Sequence, residues 1–193
     1  LDPQSGTALE IGTSGDTINV PSGVTLDINS GATLDATGAT ITGALTNTPS
    51  FRAYMNATQT VNDITNAVVA YNTESFDTDS AYNNSTYRFV CPSGGAGKYF
   101  FSAHAFLDDA GLSWYAADFQ IRQNGTNAAQ DNFSLDSSDA WSGTVRINTI
   151  LDLAESDYVD VNVIGNTADG TSFDLFTTSP FQFGVFFGYK LIG

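Results

Sequence analysis

Tyr87-Arg88-Phe89-Val90-Cys91-Pro92 is followed, across Ser93-Gly94-Gly95-Ala96, by Gly97-Lys98-Tyr99-Phe100-Phe101-Ser102-Ala103-His104. Tyr87, Phe89 and Cys91 alternate with Arg88, Val90 and Pro92. Tyr99, Phe101, Ala103 and Ala105 alternate with Phe100, Ser102, His104 and Phe106. A period of two sends alternate side chains to opposite faces of a sheet. Pro92 has no amide hydrogen with which to continue a ladder, and Gly94, Gly95 and Gly97 permit the positive φ of a tight corner. The segment therefore predicts strand, corner, strand, each strand with one apolar face.

Working outward, the same grammar recurs. Further strands are predicted over Phe51 to Met55, Ala67 to Tyr71, Ser113 to Gln123, a short piece around Phe133, Gly143 to Leu153, Tyr158 to Ile164 and Phe181 to Ile192. Asn124-Gly125 after Phe119-Gln120-Ile121-Arg122-Gln123 is the strongest hairpin signal, since both residues tolerate the positive φ of a type I′ turn. Val145, Ile147, Thr149, Leu151 and Leu153 form one inward row, and Val159, Val161 and Val163 another. Two packed antiparallel sheets follow. A helical reading is poor: among 21 acidic residues only Glu10, Glu74 and Glu155 are glutamate, and Asp, Asn, Gly, Ser and Thr favour turns and strand ends.

Residues up to about Thr46 speak differently. Ser22-Gly23-Val24-Thr25-Leu26-Asp27, Ser30-Gly31-Ala32-Thr33-Leu34-Asp35 and Thr37-Gly38-Ala39-Thr40-Ile41-Thr42 repeat a glycine turn and a short strand. A segment of this length with so few large hydrophobes cannot enclose a core alone. Threefold intertwining into a thin β-prism or β-helix-like stem is the preferred solution, because each chain lends one wall to a shared apolar axis. The expected organisation is a stem over 1–47, a joint at Asn47-Thr48-Pro49-Ser50, and a compact β head over 48–193.

Composition narrows the partners. The formal charge is −15, and only six basic residues, scattered singly, oppose it. That distribution argues against gripping the phosphates of nucleic acid and against anionic membranes. No window of about 18 uninterrupted apolar residues predicts a spanning helix. Leu1 to Ile11 lacks the basic start and apolar core of a signal peptide. Cys91 is the single cysteine, so no disulfide forms within the chain.

On these residues the head resembles the C1q/tumour-necrosis-factor-like jelly roll. Phe51-Arg52-Ala53-Tyr54 looks like its opening strand, Phe89, Cys91, Pro92, Gly97, Tyr99, Phe101 and His104 are similar to its most recognisable run, and Gly188-Tyr189 resembles its closing strand. The resemblance covers about residues 50–193. It implies a homotrimer with aromatics buried around a threefold axis and loops at the distal end free to bind. The short repeats of residues 1–47 call for oligomerisation independently of the resemblance. The collagen-like stalk that often precedes such domains is absent, the glycine-punctuated repeat stands in its place, and Lys190 interrupts a closing strand that is usually apolar.

Chemistry gives way to structure in most of the candidate motifs. His104 is the single histidine and sits in mid-strand, where a packing or hydrogen-bonding role outweighs catalysis. One cysteine and one histidine do not make a zinc site. Gly94-Gly95-Ala96-Gly97-Lys98 fails as a phosphate loop, because Pro92 takes the place of the first glycine and Tyr99 that of the magnesium-binding hydroxyl. Asp77-Thr78-Asp79 and Asp108-Asp109 offer oxygens without the spacing of a helix-loop-helix calcium site. The reading is no cofactor, with calcium on a loop or on the axis left as an open alternative. Binding is expected instead on the loops Asp108 to Leu112, Thr126 to Asn132 and Gly165 to Thr171, through Asp108, Asp109, Trp114, Asn127, Trp141 and Asp169.

The expected function is a non-enzymatic structural protein on a virion surface: a trimeric bacteriophage fibre, tip or decoration protein. Its stem would join other virion proteins, and its head would hold a host glycan or protein. A bacterial surface or secreted adhesin of the same fold is the second reading, and a glycan-degrading enzyme the third.

Overall fold

The computed structural model describes residues 20–21, 24–25, 33, 47–108, 114–134, 142–178 and 182–191. The chain divides into two compact units, Leu1–Ala44 and Leu45–Gly193. The expected stem repeats lie almost entirely outside the described residues. In the second unit every regular element described is a strand: β1 Ser50–Tyr54, β2 Gln59–Asn62, β3 Ala67–Val68, β4 Thr73–Asp77, β5 Tyr82–Asn83, β6 Arg88–Val90, β7 Gly97–Asp108, β8 Trp114–Gln123, β9 Thr126–Ser134, β10 Ser142–Leu153, β11 Tyr158–Thr167, β12 Ser172–Phe176 and β13 Val185–Lys190.

The strands form two antiparallel sheets. In sheet I the long β7 is the spine. β10 pairs with it along its whole length, from Ser142 opposite Asp108 to Leu153 opposite Gly97. β13 and β12 share its other edge, and beyond them lie β1 and β4 on one side and β2 on the other. Sheet II runs β5-β6-β11-β8-β9, with β3 also on β11. The two sheets pack as a sandwich, the all-β architecture expected from the period-two rows.

Alternation decides what lies between the sheets. β7 buries Tyr99, Phe101, Ala103, Ala105 and Leu107, β10 buries Val145, Ile147, Leu151 and Leu153, and β11 buries Val159, Val161 and Val163. The centre is aromatic: Phe51 stacks on Tyr82 at 4.9 Å and on Phe89 at 5.2 Å, and meets the edge of Phe186 at 4.9 Å. Each such ring removes enough apolar surface from water to contribute about 2 kcal/mol. The buried phenols keep their polar ends satisfied. Tyr71 donates to the His104 carbonyl at 3.1 Å, Tyr82 to the Tyr71 carbonyl at 2.8 Å, and Tyr99 to the Gly95 carbonyl at 2.6 Å.

The deciding stretch folds as its sequence predicts, with local differences. β6 begins at Arg88 rather than Tyr87, whose φ of 59° places it in the preceding turn. At the corner Gly94 and Gly97 have positive φ. Gly95 serves a different purpose, since a Cβ there would lie 2.8 Å from the Pro92 carbonyl oxygen. Asn124 and Gly125 take φ of 52° and 79° and close the β8–β9 hairpin. Gly188 is required by packing: a Cβ would sit 2.5 Å from Cδ1 of the Phe101 ring and 2.9 Å from the Phe100 carbonyl oxygen.

Two expected loops are corrected. Gly165 to Thr167, the start of the expected loop Gly165 to Thr171, completes β11. Thr126 to Asn132 is not a loop but most of β9, paired with β8 from Gln123 opposite Thr126 to Ala116 opposite Ser134. Four short strands, β2, β4, β5 and β12, lie where the sequence shows no clean alternation. Tertiary pairing supplies what local pattern does not.

Candidate functional site

The side chains that β7 turns away from the core set the chemistry of the outer face of sheet I. Pairing registers place Phe100 beside Tyr189 and Ile150, Ser102 beside Phe187 and Asn148, and His104 beside Val185 and Arg146. β1 adds Ser50, Arg52 and Tyr54 to the same three rows. Phe100 lies 5.4 Å from Tyr189 and 6.3 Å from Phe187, ring centre to ring centre, and Ile150 beside them is 58% exposed. Further along β7, Phe106, Phe176 and Phe183 make a second cluster with centroid separations of 5.7 to 6.2 Å. An apolar surface on this scale, spread in two clusters over four strands, is unusual for a face left in water.

His104 and two arginines interrupt it. Burial, then the Arg146 and Arg52 guanidiniums, hold the imidazole below its usual pKa, with a hydrogen bond to the Gln182 backbone opposing them. Arg52 itself is tied to Gln182 Oε1 at 2.7 Å. An imidazole flanked by cations is a poor acceptor of a further proton, so this position suits packing better than general-base chemistry. Cys91 is buried, its sulfur 3.8 Å from the Tyr99 hydroxyl, and burial pushes its thiol pKa up, away from a reactive thiolate. Among the described residues no group of three His, Cys, Asp or Glu side chains is arranged to hold a metal ion.

The outer face of sheet II is finished by its own polar groups. Asp160 is 0% exposed, although it points away from the core. Arg88 and Arg122 flank it across the strands, with Nε atoms 3.1 and 2.7 Å from its two carboxylate oxygens. Arg88 also lies over the Tyr158 ring at 4.1 Å. Further along, Asn162 donates to Asn66 Oδ1 at 3.0 Å, its own Oδ1 being buried without a partner among the described residues, and Asn132 donates to Asp118 Oδ1. No local spacing predicts the Arg88–Asp160–Arg122 triad. Its only sequence trace is Asp160 standing between Val159 and Val161, which shows the facing but not the partners.

The expected binding residues separate into two ends. Asp108 pairs with Ser142 and Asp174, and Trp114 with Thr167, so these positions and the β11–β12 turn bearing Asp169 share one end of the sandwich. Asp169 is exposed and accepts from the Thr171 hydroxyl at 2.7 Å, which holds its carboxyl below the usual range. Asn127 lies at the other end, beside the hairpin turn, and donates to Gln130 at 2.8 Å. Asp109 and Trp141 lie outside the described residues. Of the motif residues, Phe89, Cys91, Tyr99 and Phe101 are in the core, Pro92 and Gly97 shape the corner, and Tyr189 faces outward. His104 is half-buried on the outer aromatic face.

No family model matches the chain, and no curated protein does. Solved structures share its fold. The globular domain of zebrafish complement 1qA protein is 18% identical, with a TM-score of 0.51 over 75% of this chain and 98% of that chain. Murine APRIL is 10% identical, with a TM-score of 0.54 over 74% of this chain and 98% of that one. The likeness is one of fold, and it is the C1q/tumour-necrosis-factor-like jelly roll.

Proposed function

We propose that this domain is the head of a trimeric, non-enzymatic attachment or decoration protein on the surface of a bacteriophage virion, with three copies meeting through the outer face of sheet I. The observation that carries the reading is the aromatic surface of Phe100, Phe187, Tyr189 and Ile150, continued by Phe106, Phe176 and Phe183. A second copy of the same surface is the occupant that matches its chemistry, since aromatic rings meeting aromatic rings give up the largest apolar area per residue. Closure at three rather than two follows from the family resemblance, and the repetitive leading segment asks for the same number.

The chain enters the head at one end of the sandwich and binds at the other. Ser50, Tyr189, Phe100 and Gly97 mark the entry end, whereas Asp108, Trp114 and the Asp169 turn mark the opposite one. Three identical distal surfaces on one stalk convert weak contacts to a host glycan or protein into firm adhesion through high effective concentration. The virion as carrier rests on the glycine-punctuated repeat of residues 22–42, which is similar to the short β stems of phage fibres.

Three measurements test this. The native mass of the full chain should be three times the 20.4 kDa of one chain. Peptide fingerprints of purified virions should contain this protein. Its absence from virions and presence on bacterial surfaces would transfer the same head to an adhesin. Sugar release from host polysaccharide by the pure protein would overturn the non-enzymatic reading.

A further inference from the structure

At the distal end of sheet II the outer face carries a groove of about 250 Å³, lined by Ile64, Ala116, Asp118, Asn132, Ile164 and Asn166. The neighbouring strands build it by alternation: β8 contributes Ala116 and Asp118, β11 Ile164 and Asn166, and β9 Asn132. Ile64 overhangs it from the turn after β2, 67% exposed, with φ of 52°. A β-branched residue in the left-handed region is strained. The turn is held there by its neighbours: the Ile64 amide donates to the Gly165 carbonyl at 2.8 Å, and Asp63 Oδ1 accepts from the Thr167 amide at 2.6 Å and hydroxyl at 3.1 Å. Neither strain nor exposure benefits the fold, and a glycine or asparagine would relieve both. Strain of this kind persists where the side chain serves a site.

We propose that this groove binds a single neutral sugar ring. Its volume lies below the roughly 300–1,000 Å³ of pockets for drug-sized ligands, which suits one pyranose. The lining has the two kinds of surface such a ring needs. Ile64, Ile164 and the small Ala116 meet the apolar C–H face, while the Asp118 carboxylate and the Asn132 and Asn166 amides meet the hydroxyl rim. Planar groups that accept at two oxygens, or donate and accept side by side, match neighbouring hydroxyls that do the same. Asp118 and Asn132 are already joined by a hydrogen bond, which fixes their planes before a ligand arrives. The charge selects against acidic sugars: Asp118 is the ionisable group in the lining, no lysine or arginine is there, and the whole chain carries −15.

The inference rests on the reading in which sheet I is covered and sheet II stays open, but the groove itself belongs to one chain. The test is methyl NMR of the full chain labelled at isoleucine δ1, because Ile64 and Ile164 line the site while Ile121 and Ile147 lie in the core. The probes are the methyl α-glycosides of glucose, galactose and mannose, and methyl glucuronide. At least one neutral glycoside should shift Ile64 and Ile164 saturably, with a Kd of about 1 mM, and leave Ile121 and Ile147 in place. The glucuronide should do neither. Asp118→Ala should abolish the saturable shift. Ile64→Gly should hold or raise the Tm while weakening the Ile164 response at least about fivefold, a split that a purely structural residue would not give. Silence at both methyls with all three neutral glycosides, equal response to the glucuronide, or unchanged affinity in Asp118→Ala would each overturn the proposal. A trimer by mass with silent methyls would remove the groove and leave the assembly, and a monomer with responsive methyls would do the reverse.

Discussion

The two sheets follow the same alternation but finish their outer faces with opposite chemistry. Sheet I turns Phe100, Phe187, Tyr189 and Ile150 outward, with Phe106, Phe176 and Phe183 beyond them. Sheet II turns out Arg88, Asp160 and Arg122, then the amides of Asn162 and Asn132 and the Asp118 carboxylate. One face leaves its hydrophobic area for something else to cover, and the other pairs its polar groups within the chain. In the proposed assembly, a sandwich built this way has an assembly side and an open side. Within each sheet, the outer-face residues stand one position away from core residues on the same strands.

The largest effect should come from charging the assembly side. Phe100→Asp with Tyr189→Asp would place two carboxylates per chain in the seam and lower the association constant by more than about 1,000-fold, since central aromatic anchors carry most of an interface's energy. Sedimentation should then show single chains whose Tm is little changed from that of the core, because neither ring lies between the sheets. A trimer that survives would erase the distinction between the faces.

Next comes the open side. Asp160→Ala leaves two guanidiniums, with side-chain exposures of 35% and 17%, around an empty centre. Urea titration should register a loss of about 3 kcal/mol with the subunit count unchanged. A loss below about 1 kcal/mol would mean that water solvates the arginines and the triad is ornamental.

Gly188→Ala probes the core that both faces share. The added methyl meets the Phe101 ring and the Phe100 carbonyl, and should cost about 2 kcal/mol. Gly170→Ala is the comparison, since φ there is 69° with nothing within 4 Å of the added atom. It should cost about 1 kcal/mol from backbone strain alone.

The smallest effect belongs to pH. Burial and the two arginines hold the folded pKa of His104 below the ordinary 6.5. The unfolded chain therefore takes up the proton first as pH falls. His104 costs no stability above pH 6.5; stability declines as pH drops from there toward the lowered folded pKa and levels off beneath it. His104→Gln should flatten that part of a Tm-versus-pH profile and leave the carboxylate-driven fall at lower pH intact.

The core was legible because period two is a direct consequence of strand geometry: Tyr99, Phe101, Val145, Leu153 and Val161 needed no partner to show their facing. The aromatic face was half legible, since the sequence separates Phe100 and Phe106 from the core row but cannot show that Phe187 and Tyr189 lie beside them. Register, which brings β13 against β7, is a long-range fact. The Arg88–Asp160–Arg122 triad and the groove lining come from strands distant in sequence, so no local spacing announces them. The reading of Thr126 to Asn132 as a loop failed because its Asn, Ala, Gln and Asp residues favour turns in isolation, whereas pairing with β8 overrides that preference. Ile64 gave no warning, because a strained φ is imposed by the turn and not written in the residue type.

The most direct test of the central claim is the native mass of the full chain at micromolar concentration, measured for the wild type and for the Phe100→Asp, Tyr189→Asp variant. Three chains for the first and one for the second is the predicted result. A wild-type protein that remains a single chain would contradict the assignment of sheet I as an assembly face.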